Sequence, residues 1–406
     1  MNDLKDHKQI GQELELFFTH EIAPGAPFWL PKGMVIFKEL EKYIRELTEK
    51  AGYLETSTPI MVKSELFKQS GHWEKFGAHN MYNLLLSDEE DNSKPISYTL
   101  KPMNCPESTV IYRFRPRSYR ELPLRLSEIG RLHRREKSGE VNGLLRVRQL
   151  TMDDAHLFIT DDQILQEVSS ILDMMITFYK SFGFEFEFRL ATKPDVFAGT
   201  IENWERAEKD LEQALKSKKL KYTLKEKDGA FYGPKIDLHI KDSLSREWQL
   251  STVQIDFHQP QAFKLEYTDE KGEKKRPVMI HRAIFGSLER FIGILTEHYQ
   301  GAFPTWLSPV QVSIIPIADR HIEVAQKAAD ILKEKGIRVE VDARSESMQA
   351  KVRDSSLQKV PFIGIIGDRE AENKNISVRD RSGKDLGQME ISEFSQKVQE
   401  EIDKKI

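Results

Sequence analysis

The sequence lacks the features that define several classes of protein. It contains one cysteine among 406 residues, which excludes an internal disulfide framework and favours a reducing cytoplasm. No apolar run approaches the roughly 18–20 residues that a membrane-spanning helix needs, and the charged N-terminus MNDLKDHKQIGQELELFF does not resemble a signal peptide. The net charge is only −4, so any nucleic-acid partner must be bound by local basic patches.

The length and composition describe a globular protein with more than one domain. A chain of 406 residues is long enough for two or three separate cores. The first 300 residues contain strands and helices without βαβ regularity, which predicts an antiparallel α+β domain. After the proline-containing segment PTWLSP (residues 304–309), strands and helices alternate, which predicts a small α/β domain with a mostly parallel sheet.

The periodicity of apolar residues predicts the individual elements. In the first part, helices are predicted over residues 6–18, 36–51, 162–179, 200–217 and 281–295, and strands over residues 53–63, 96–101, 182–190, 231–240 and 246–257. In the second part, strands are predicted over residues 310–315, 337–341, 361–366 and 376–379, and helices over residues 319–335, 347–357 and 391–403. His281 would begin the helix over residues 281–295.

The stretch 124–158 is the most informative part of the sequence. It predicts a strand from Leu124, a turn-rich loop, a second strand over residues 144–150, and then a polar segment with Asp153, Asp154 and His156. Six basic residues crowd it: Arg131, Arg134, Arg135, Lys137, Arg146 and Arg148. Arginines on strands suit a bidentate grip on phosphate or carboxylate, and the acids and histidine suggest a second, cationic ligand. An ordinary solvated hairpin is the alternative for this stretch alone.

Two other residues are candidates with structural alternatives. Cys105 lies at the turn where KPMNCPE enters a helix, but a lone cysteine is more often a small buried hydrophobic residue than a ligand. His72, in the turn GHW, is either a functional histidine or a partly buried structural one.

Several segments, taken in order, resemble class II aminoacyl-tRNA synthetases. The segment around Pro59, the hairpin with Arg134 and Glu136, and GSLER ending at Arg290 are similar to motifs 1, 2 and 3 of that class. KPMNCP, DDAH, YGPKID, VQIDF and PVMIHRAIFGSLERFIGIL resemble the threonyl-tRNA synthetase family, and the segment from PTWLSP to VPFIGIIGDRE resembles its anticodon-binding domain. The resemblance implies a cytoplasmic threonine–tRNA ligase, with a catalytic domain over residues 1–303 and an anticodon-binding domain over residues 304–406.

The resemblance also assigns residues to ATP. It places Arg134 at the α-phosphate and the substrate carboxylate, and Arg290 at the γ-phosphate. Glu136 would contact adenine, Arg146 the nucleotide, and Gln249 the ribose or the α-phosphate region. Mg²⁺ is expected with ATP as counter-charge.

A zinc site follows from the resemblance and not from spacing. The family uses the positions of Cys105, His156 and His281 as ligands of one Zn²⁺ per chain, although their separation matches no zinc-finger signature. Asp154 would accept a hydrogen bond from the hydroxyl of threonine, and Tyr232 would lie near the amino group of threonine. Valine has the shape of threonine without the hydroxyl, so such a site would reject it and would discriminate less well against serine.

The same resemblance suggests residues for transfer to tRNA. His72 is the candidate that helps to deprotonate the terminal ribose. Glu370 and Arg379, on neighbouring predicted strands, match positions that contact anticodon bases. Lys359 and Ser345 stand where the family has arginine and asparagine.

The sequence departs from the family pattern at several places. Met152 replaces a common glutamine, and residues 107–108 read Glu-Ser where Gly-His is frequent. Most bacterial relatives carry an additional N-terminal region that hydrolyses Ser-tRNA. We therefore expect this chain, whether a natural short form or a fragment, to form Ser-tRNA(Thr) and not to clear it. Pro59, with Thr58 and Ile60, is the expected centre of a homodimer interface.

Two other functions remain open at this stage. One is a synthetase paralogue that activates an amino acid for another acceptor, which the anticodon-like domain argues against. The other is a tRNA-binding homologue without catalysis. Such a protein would be expected to have lost a motif arginine or a metal ligand, and this sequence retains all of them.

Overall fold

The computed structural model describes residues 4–87, 95–242 and 245–406, which form two compact units. The first unit comprises Glu21–Pro27 and Glu41–Phe291. The second comprises the N-terminal segment up to His20, Phe28–Leu40 and Ile292–Ile406. Within the described residues, no helix combines the length and the hydropathy needed to cross a membrane. The predicted domain boundary at residues 303/304 stays a prediction.

The described residues contain helices and strands throughout. The helices are α1 His7–Glu13, α2 Pro31–Lys50, α3 Glu65–Gln69, α4 Cys105–Tyr112, α5 Ile164–Lys180, α6 Ile201–Ser217, α7 His258–Ala262, α8 Leu288–His298, α9 Ile322–Glu334, α10 Met348–Leu357, α11 Asp368–Asn373 and α12 Ile391–Lys404. The strands are β1 Phe17–Thr19, β2 Pro27–Trp29, β3 Leu54–Glu55, β4 Met61–Lys63, β5 Tyr82–Leu86, β6 Ile96–Leu100, β7 Leu124–His133, β8 Gln149–Ile159, β9 Phe186–Ala191, β10 Tyr222–Lys225, β11 Lys235–Lys241, β12 Glu247–Asp256, β13 Tyr267–Thr268, β14 Lys274–Lys275, β15 Val278–Ala283, β16 Val312–Pro316, β17 Val339–Val341, β18 Phe362–Ile366, β19 Asn375–Asp380 and β20 Asp385–Glu390.

An eight-stranded sheet organises the first unit. Its order is β10-β9-β11-β12-β15-β8-β7-β3. The five pairs from β9 to β7 are antiparallel, and the outer pairs β10–β9 and β3–β7 are parallel. The predicted antiparallel α+β class is thereby confirmed. Helix α5 buries the apolar face that its periodicity indicates, including Val168, Leu172 and Met175, because residues three and four apart share one side of a helix.

The second unit contains a five-stranded mixed sheet in the order β17-β16-β18-β19-β20. Its β16 is parallel to β17 and β18, whereas β18–β19 and β19–β20 are antiparallel. The prediction of a mostly parallel sheet was therefore wrong for half of the pairs. The short connection through α11, which was not predicted, explains the difference, because a parallel crossover needs about a dozen residues or more.

Several predicted elements were wrong in type or extent. The strands predicted over residues 182–190 and 231–240 begin only at Phe186 and Lys235. The helix over residues 6–18 ends at Glu13, and β1 follows it. The strand over residues 53–63 is interrupted around Pro59, which cannot donate to a ladder. The helix over residues 281–295 is instead β15 followed by α8, with Gly286 at a φ of +75° between them. All six residues of β15 are buried, including His281 and Arg282, and a strand that is buried on both faces lacks the alternation of polar and apolar residues that would distinguish it from a helix.

The arginine-rich hairpin is longer than predicted and shifted along the sequence. Strands β7 and β8 pair over ten residues, from Leu124 opposite Phe158 to His133 opposite Gln149. Residues 144–147 therefore precede β8, whereas Asp153, Asp154 and His156 lie within it and not in a polar segment after it. The buried Asp153 accepts from Arg282 of neighbouring β15, so a polar residue is accommodated inside the sheet by an ion pair that sequence periodicity does not reveal.

Candidate active site

Two neighbouring strands and one helix bring the predicted metal ligands together. His156 of β8 lies opposite His281 of β15, with ring centroids 5.0 Å apart and ring planes almost perpendicular. Cys105 is the first residue of α4. All three residues are buried, and their ligand atoms lie within 4.8 Å of one another. His281 thus reaches the cluster from a strand and not from the predicted helix start.

The donor set of this cluster fits zinc. One sulfur and two imidazole nitrogens form a ligand set used by zinc, and three protein ligands leave a fourth position for substrate. Burial lowers the pKa of His156 well below its usual value, which favours the neutral imidazole that binds metals. Burial raises the pKa of the Cys105 thiol, and a bound cation would favour its thiolate.

Asp256, at the end of β12, orients His281. Its Oδ2 lies 2.8 Å from Nε2 of His281, which leaves the other ring nitrogen for a ligand. The backbone N–H groups of His258 and Gln259 donate to Oδ1 at 2.7 and 2.9 Å. Burial acts to raise the pKa of Asp256, but the contacts with His281 and Gln259 outweigh it and lower the pKa.

The metal cluster lines a cavity of about 390 Å³ in the first unit. Of the predicted site residues, this cavity also contains His72, Arg134, Asp154 and Tyr232. It adds residues that the prediction did not assign to a site: Lys75, Phe76, Met103, Leu132, Phe231, Thr252, Gln254, Arg282 and Ala283. One cavity therefore joins a set of metal donors to a carboxylate and a guanidinium.

Asp154 lies two residues before His156 on β8, so both side chains project from the same face of the strand. Asn104 donates to its Oδ2 at 3.3 Å. Burial raises the pKa of Asp154 to about 6, against the lowering effects of His281 and Arg282. A half-buried carboxyl group in this position can accept a hydrogen bond from a substrate hydroxyl.

Arginines converge near the end of β7. Nε of Arg134 donates to the carbonyl of Pro102 at 3.1 Å, and Nε of Arg290, in the first turn of α8, donates to the carbonyl of Leu145 at 2.9 Å. Burial lowers the pKa of Arg290, and the nearby Arg134 and Arg146 lower it further. Such crowding of like charges suits a polyanionic ligand.

The other residues predicted to bind the nucleotide are not among the described residues that line the cavity. Glu136 accepts from Arg146 at 2.7 Å, so these two residues form an ion pair. Gln249 is exposed on β12, whereas Thr252 and Gln254 of the same strand line the cavity. The alternation of polar residues at 252 and 254 was the available sequence signal, because residues two apart share a face of a strand.

His72 is buried beside the metal cluster. Its Nδ1 lies 2.8 Å from the hydroxyl of Ser70, and its Nε2 lies 3.8 Å from the sulfur of Cys105. Burial lowers its pKa to about 4, which keeps the imidazole neutral near pH 7 and makes it a weak base.

The departures from the family pattern occupy different environments. Met152 lines the cavity. Glu107 is buried, and neither of its carboxylate oxygens has a hydrogen-bond partner among the described residues. Burial raises the pKa of Glu107 to about 8. Ser108 donates to the carbonyl of Cys105 at 2.8 Å and so contributes to the first turn of α4.

The four predicted anticodon residues lie in the second unit. Glu370 was predicted to lie on a strand, but it belongs to the short helix α11, which begins within the GDRE segment. Its carboxylate accepts from the backbone N–H of Gly367 and the side chains of Ser377 and Gln388. Arg379 lies on β19, and Lys359 and Ser345 are exposed.

Comparisons with known sequences agree along the whole chain. A protein-family profile described as tRNA synthetase class II core domain (G, H, P, S and T) matches residues 86–299, and one described as anticodon binding domain matches residues 311–401. A threonine--tRNA ligase of Clostridium kluyveri is 50% identical over 402 residues, which cover 99% of this chain and 62% of that protein. Another, from Caldanaerobacter subterraneus subsp. tengcongensis, is 49% identical over 398 residues, 98% of this chain and 61% of that protein. The chain thus spans about three fifths of the length of these curated relatives.

Two solved structures are also similar. The crystal structure described as the RNA binding domain of threonyl-tRNA synthetase from Cryptosporidium parvum Iowa II is 37% identical, with a TM-score of 0.91 and coverage of 98% of both chains. A prolyl-tRNA synthetase from Cryptosporidium parvum, complexed with L-proline and AMP, is 19% identical, with a TM-score of 0.73 and coverage of 98% of this chain and 74% of that one. The second likeness extends to the fold alone.

Proposed function

We infer the function from the family, because the chain belongs to the class II tRNA synthetases (G, H, P, S and T). We propose that it is a threonine–tRNA ligase, which activates L-threonine with ATP and transfers it to the 3′ end of tRNA(Thr). One observation carries the proposal: Cys105, His156 and His281 share a cavity with Arg134 and Asp154. This juxtaposes donors for a metal-bound amino acid and a group that binds phosphate or carboxylate.

Activation requires the carboxylate of threonine to attack the α-phosphate of ATP. Negative charge accumulates on that phosphate and on the leaving pyrophosphate, so positioning and charge stabilisation provide most of the catalysis. Arg134 would hold the α-phosphate and the carboxylate, and Arg290 the γ-phosphate. Glu136, Arg146 and Gln249 would bind the rest of the nucleotide, with Mg²⁺ neutralising phosphate charge. Opening of the Glu136–Arg146 ion pair would accompany nucleotide binding.

Recognition of threonine would depend on the metal cluster and two side chains beside it. Cys105, His156 and His281 would hold Zn²⁺, whose remaining coordination positions would be available to the amino and hydroxyl groups of threonine. Asp154 would accept a hydrogen bond from the hydroxyl group, and Tyr232 would contact the amino group. Valine would leave Asp154 buried without its partner, which is a costly loss. Serine retains both polar groups and loses only a methyl, worth about 1–3 kcal/mol.

Transfer and tRNA recognition complete the proposed reaction. His72, with its neutral imidazole, would help to remove a proton from the terminal ribose. Glu370, Arg379, Lys359 and Ser345 would contact the anticodon, whose bases are recognised through their edges. Glu370 would have to exchange internal hydrogen bonds for such contacts. We place this reaction in the cytoplasm, where its substrates are found.

A homodimer is also part of the proposal. The residues that follow Pro59 lead into a three-stranded sheet, β4-β6-β5. Four of its apolar side chains are exposed on one face, namely Met61, Leu84, Leu86 and Ile96, and Ile60, immediately before β4, is exposed as well. We call the four strand residues the apolar sheet face. An exposed apolar patch of this kind is typical of a protein–protein interface.

Amino-acid-dependent exchange of pyrophosphate into ATP tests the proposed function. We expect exchange with threonine, weaker exchange with serine and none above background with valine. Removal of metal by a chelator should abolish the threonine-dependent exchange, and Zn²⁺ should restore it. Charging of a tRNA(Thr) transcript in the same preparation separates a ligase from a paralogue with another acceptor. Exchange with a different amino acid, or none, would contradict the proposal.

A further inference from the structure

A chain of hydrogen bonds runs from the cavity into the sheet behind it. The hydroxyl of Tyr232 is bonded to Oε1 of Gln254. Nε2 of Gln254 donates to the hydroxyl of Thr252 at 2.9 Å, and that hydroxyl donates to Oδ1 of Asp237 at 2.8 Å. Nζ of Lys235 donates to the other carboxylate oxygen at 2.6 Å. We call these five residues the Tyr232 relay.

The far end of the relay determines the direction of every bond in it. An ionised aspartate can only accept, so the hydroxyl of Thr252 must donate its single proton to Asp237. Thr252 can then only accept from its other neighbour, which must be the NH₂ group of Gln254. The amide oxygen of Gln254 therefore faces Tyr232, and the Tyr232 hydroxyl must donate to it. The phenolic oxygen is left with lone pairs and no proton for the cavity.

The sheet keeps the relay in register. Asp237 of β11 lies opposite Thr252 of β12, and Lys235 lies opposite Gln254, so both pairs are adjacent across one antiparallel ladder. Asp237 is only 3% exposed. Tyr232, Thr252 and Gln254 line the cavity, whereas Asp237 and Lys235 are not among the described residues that line it. Asp237 and Lys235 can thus influence the cavity only through the residues that line it.

We propose that Asp237 is a positioning residue for recognition of the substrate amino group. By orienting Thr252 and Gln254, it directs the lone pairs of the Tyr232 oxygen towards the cavity. There they accept a hydrogen bond from the amino group of the substrate. This inference rests on the proposed function and names the residue that prepares its amino-group contact. An asparagine at position 237 could donate to Thr252, and the direction of the relay would no longer be specified.

Steady-state pyrophosphate exchange by the full chain tests the relay. Asp237→Asn should raise the KM for threonine several-fold, up to about tenfold, because the hydrogen bond from the metal-bound amino group to Tyr232 is disordered. The KM for ATP should change by less than about twofold, because only amino-acid binding is affected. Thr252→Val should likewise raise the KM for threonine and leave the KM for ATP nearly unchanged. Thr252→Ser, which keeps the hydroxyl, should have KM values close to those of the wild type. Adding Asp237→Asn to Thr252→Val should cause no further loss, since residues of one network are not additive.

Glu247→Gln provides the matched control. This carboxylate lies on β12, the strand paired with β11, and binds a cation, Arg189, at 2.8 Å, but it is exposed, and its variant should retain both KM values. An unchanged KM for threonine in Asp237→Asn, an equal rise of both KM values, or additive losses in the double variant would overturn the relay alone. A wild-type chain with no threonine-dependent exchange would overturn the proposed function and this inference with it.

Discussion

At the scale of single residues, side chains outside the cavity control those that line it. Asp256 is fully buried, yet it engages one ring nitrogen of His281. Asp237 stands in the same relation to Tyr232 through two intermediates. Such supporting groups restrict the orientation of the side chains that contact the metal or the substrate, and a site with few ligands requires this restriction.

Replacing Asp256 should weaken metal binding without removing a ligand. We expect Asp256→Asn to lower the affinity for Zn²⁺ about 10–100-fold, because the imidazole of His281 loses its charged partner. Competition with a chromophoric chelator measures this affinity directly. The control is Asp161→Asn, an exposed aspartate that binds Arg206. Equal zinc affinity in Asp256→Asn and the wild type would contradict the role of Asp256.

Glu289 should make stability depend on pH. This residue of α8 is buried and accepts from the backbone N–H of Thr151. Burial raises its pKa from 4.5 to about 7 despite those bonds. Between these two pH values the folded state retains a proton that the unfolded state has released. The free energy of unfolding therefore falls as pH rises through this window, by about 3 kcal/mol for this group.

Glu289→Gln removes this titration, so the free energy of unfolding of the variant should rise relative to the wild type by about 3 kcal/mol between pH 4.5 and 7. Urea unfolding at several pH values, with Glu205→Gln as an exposed control, measures the difference. A constant difference across the window would show that Glu289 does not titrate there.

At the scale of elements, a buried ion pair ties the segment before β4 to the central sheet. Lys101 lies 2.8 Å from Glu128 of β7 and donates to the hydroxyl of Thr58 at 2.7 Å. The backbone N–H of Thr58 in turn donates to Glu128. These contacts position Thr58, immediately before Pro59.

Removing only the cation should be strongly destabilising. Lys101→Met leaves Glu128 buried without its charged partner, and we expect a loss of about 3–5 kcal/mol in the free energy of unfolding. Urea denaturation measures this loss. The double variant Lys101→Met and Glu128→Leu should recover a large part of it, because no uncompensated charge remains. A double variant as unstable as the single one would contradict this interpretation.

At the scale of the whole molecule, the apolar sheet face predicts self-association. We expect a homodimer in sedimentation velocity, and Leu86→Asp should shift it towards monomer because a charge would be buried at the interface. Leu224→Asp changes a leucine that is also exposed, but on β10, and should leave the dimer intact. A wild-type chain that sediments as a monomer at micromolar concentration would exclude this interface.

The amino-acid sequence by itself determined the elements whose apolar pattern is local and unambiguous. Helix α5, with its stripe at helical spacing, and the long strands β7 and β12 could be predicted, because a side-chain period of 3.6 or 2 is a property of the segment alone. Resemblance in motif order also indicated the family and nominated Cys105, His156 and His281. Their spacing could not have done so, since nothing in the separation of three residues along a chain determines their separation in space.

Only the tertiary structure decided what depends on neighbouring strands. It placed His281 in β15 opposite His156, made Asp153 compatible with the inside of the sheet through Arg282, and supplied Thr252 and Gln254 to the cavity. It also turned the segment with Glu370 into a helix. The outcomes in the eight-stranded sheet arise from pairing between segments distant in sequence, because burial and hydrogen bonding across a sheet override the preference of the isolated segment.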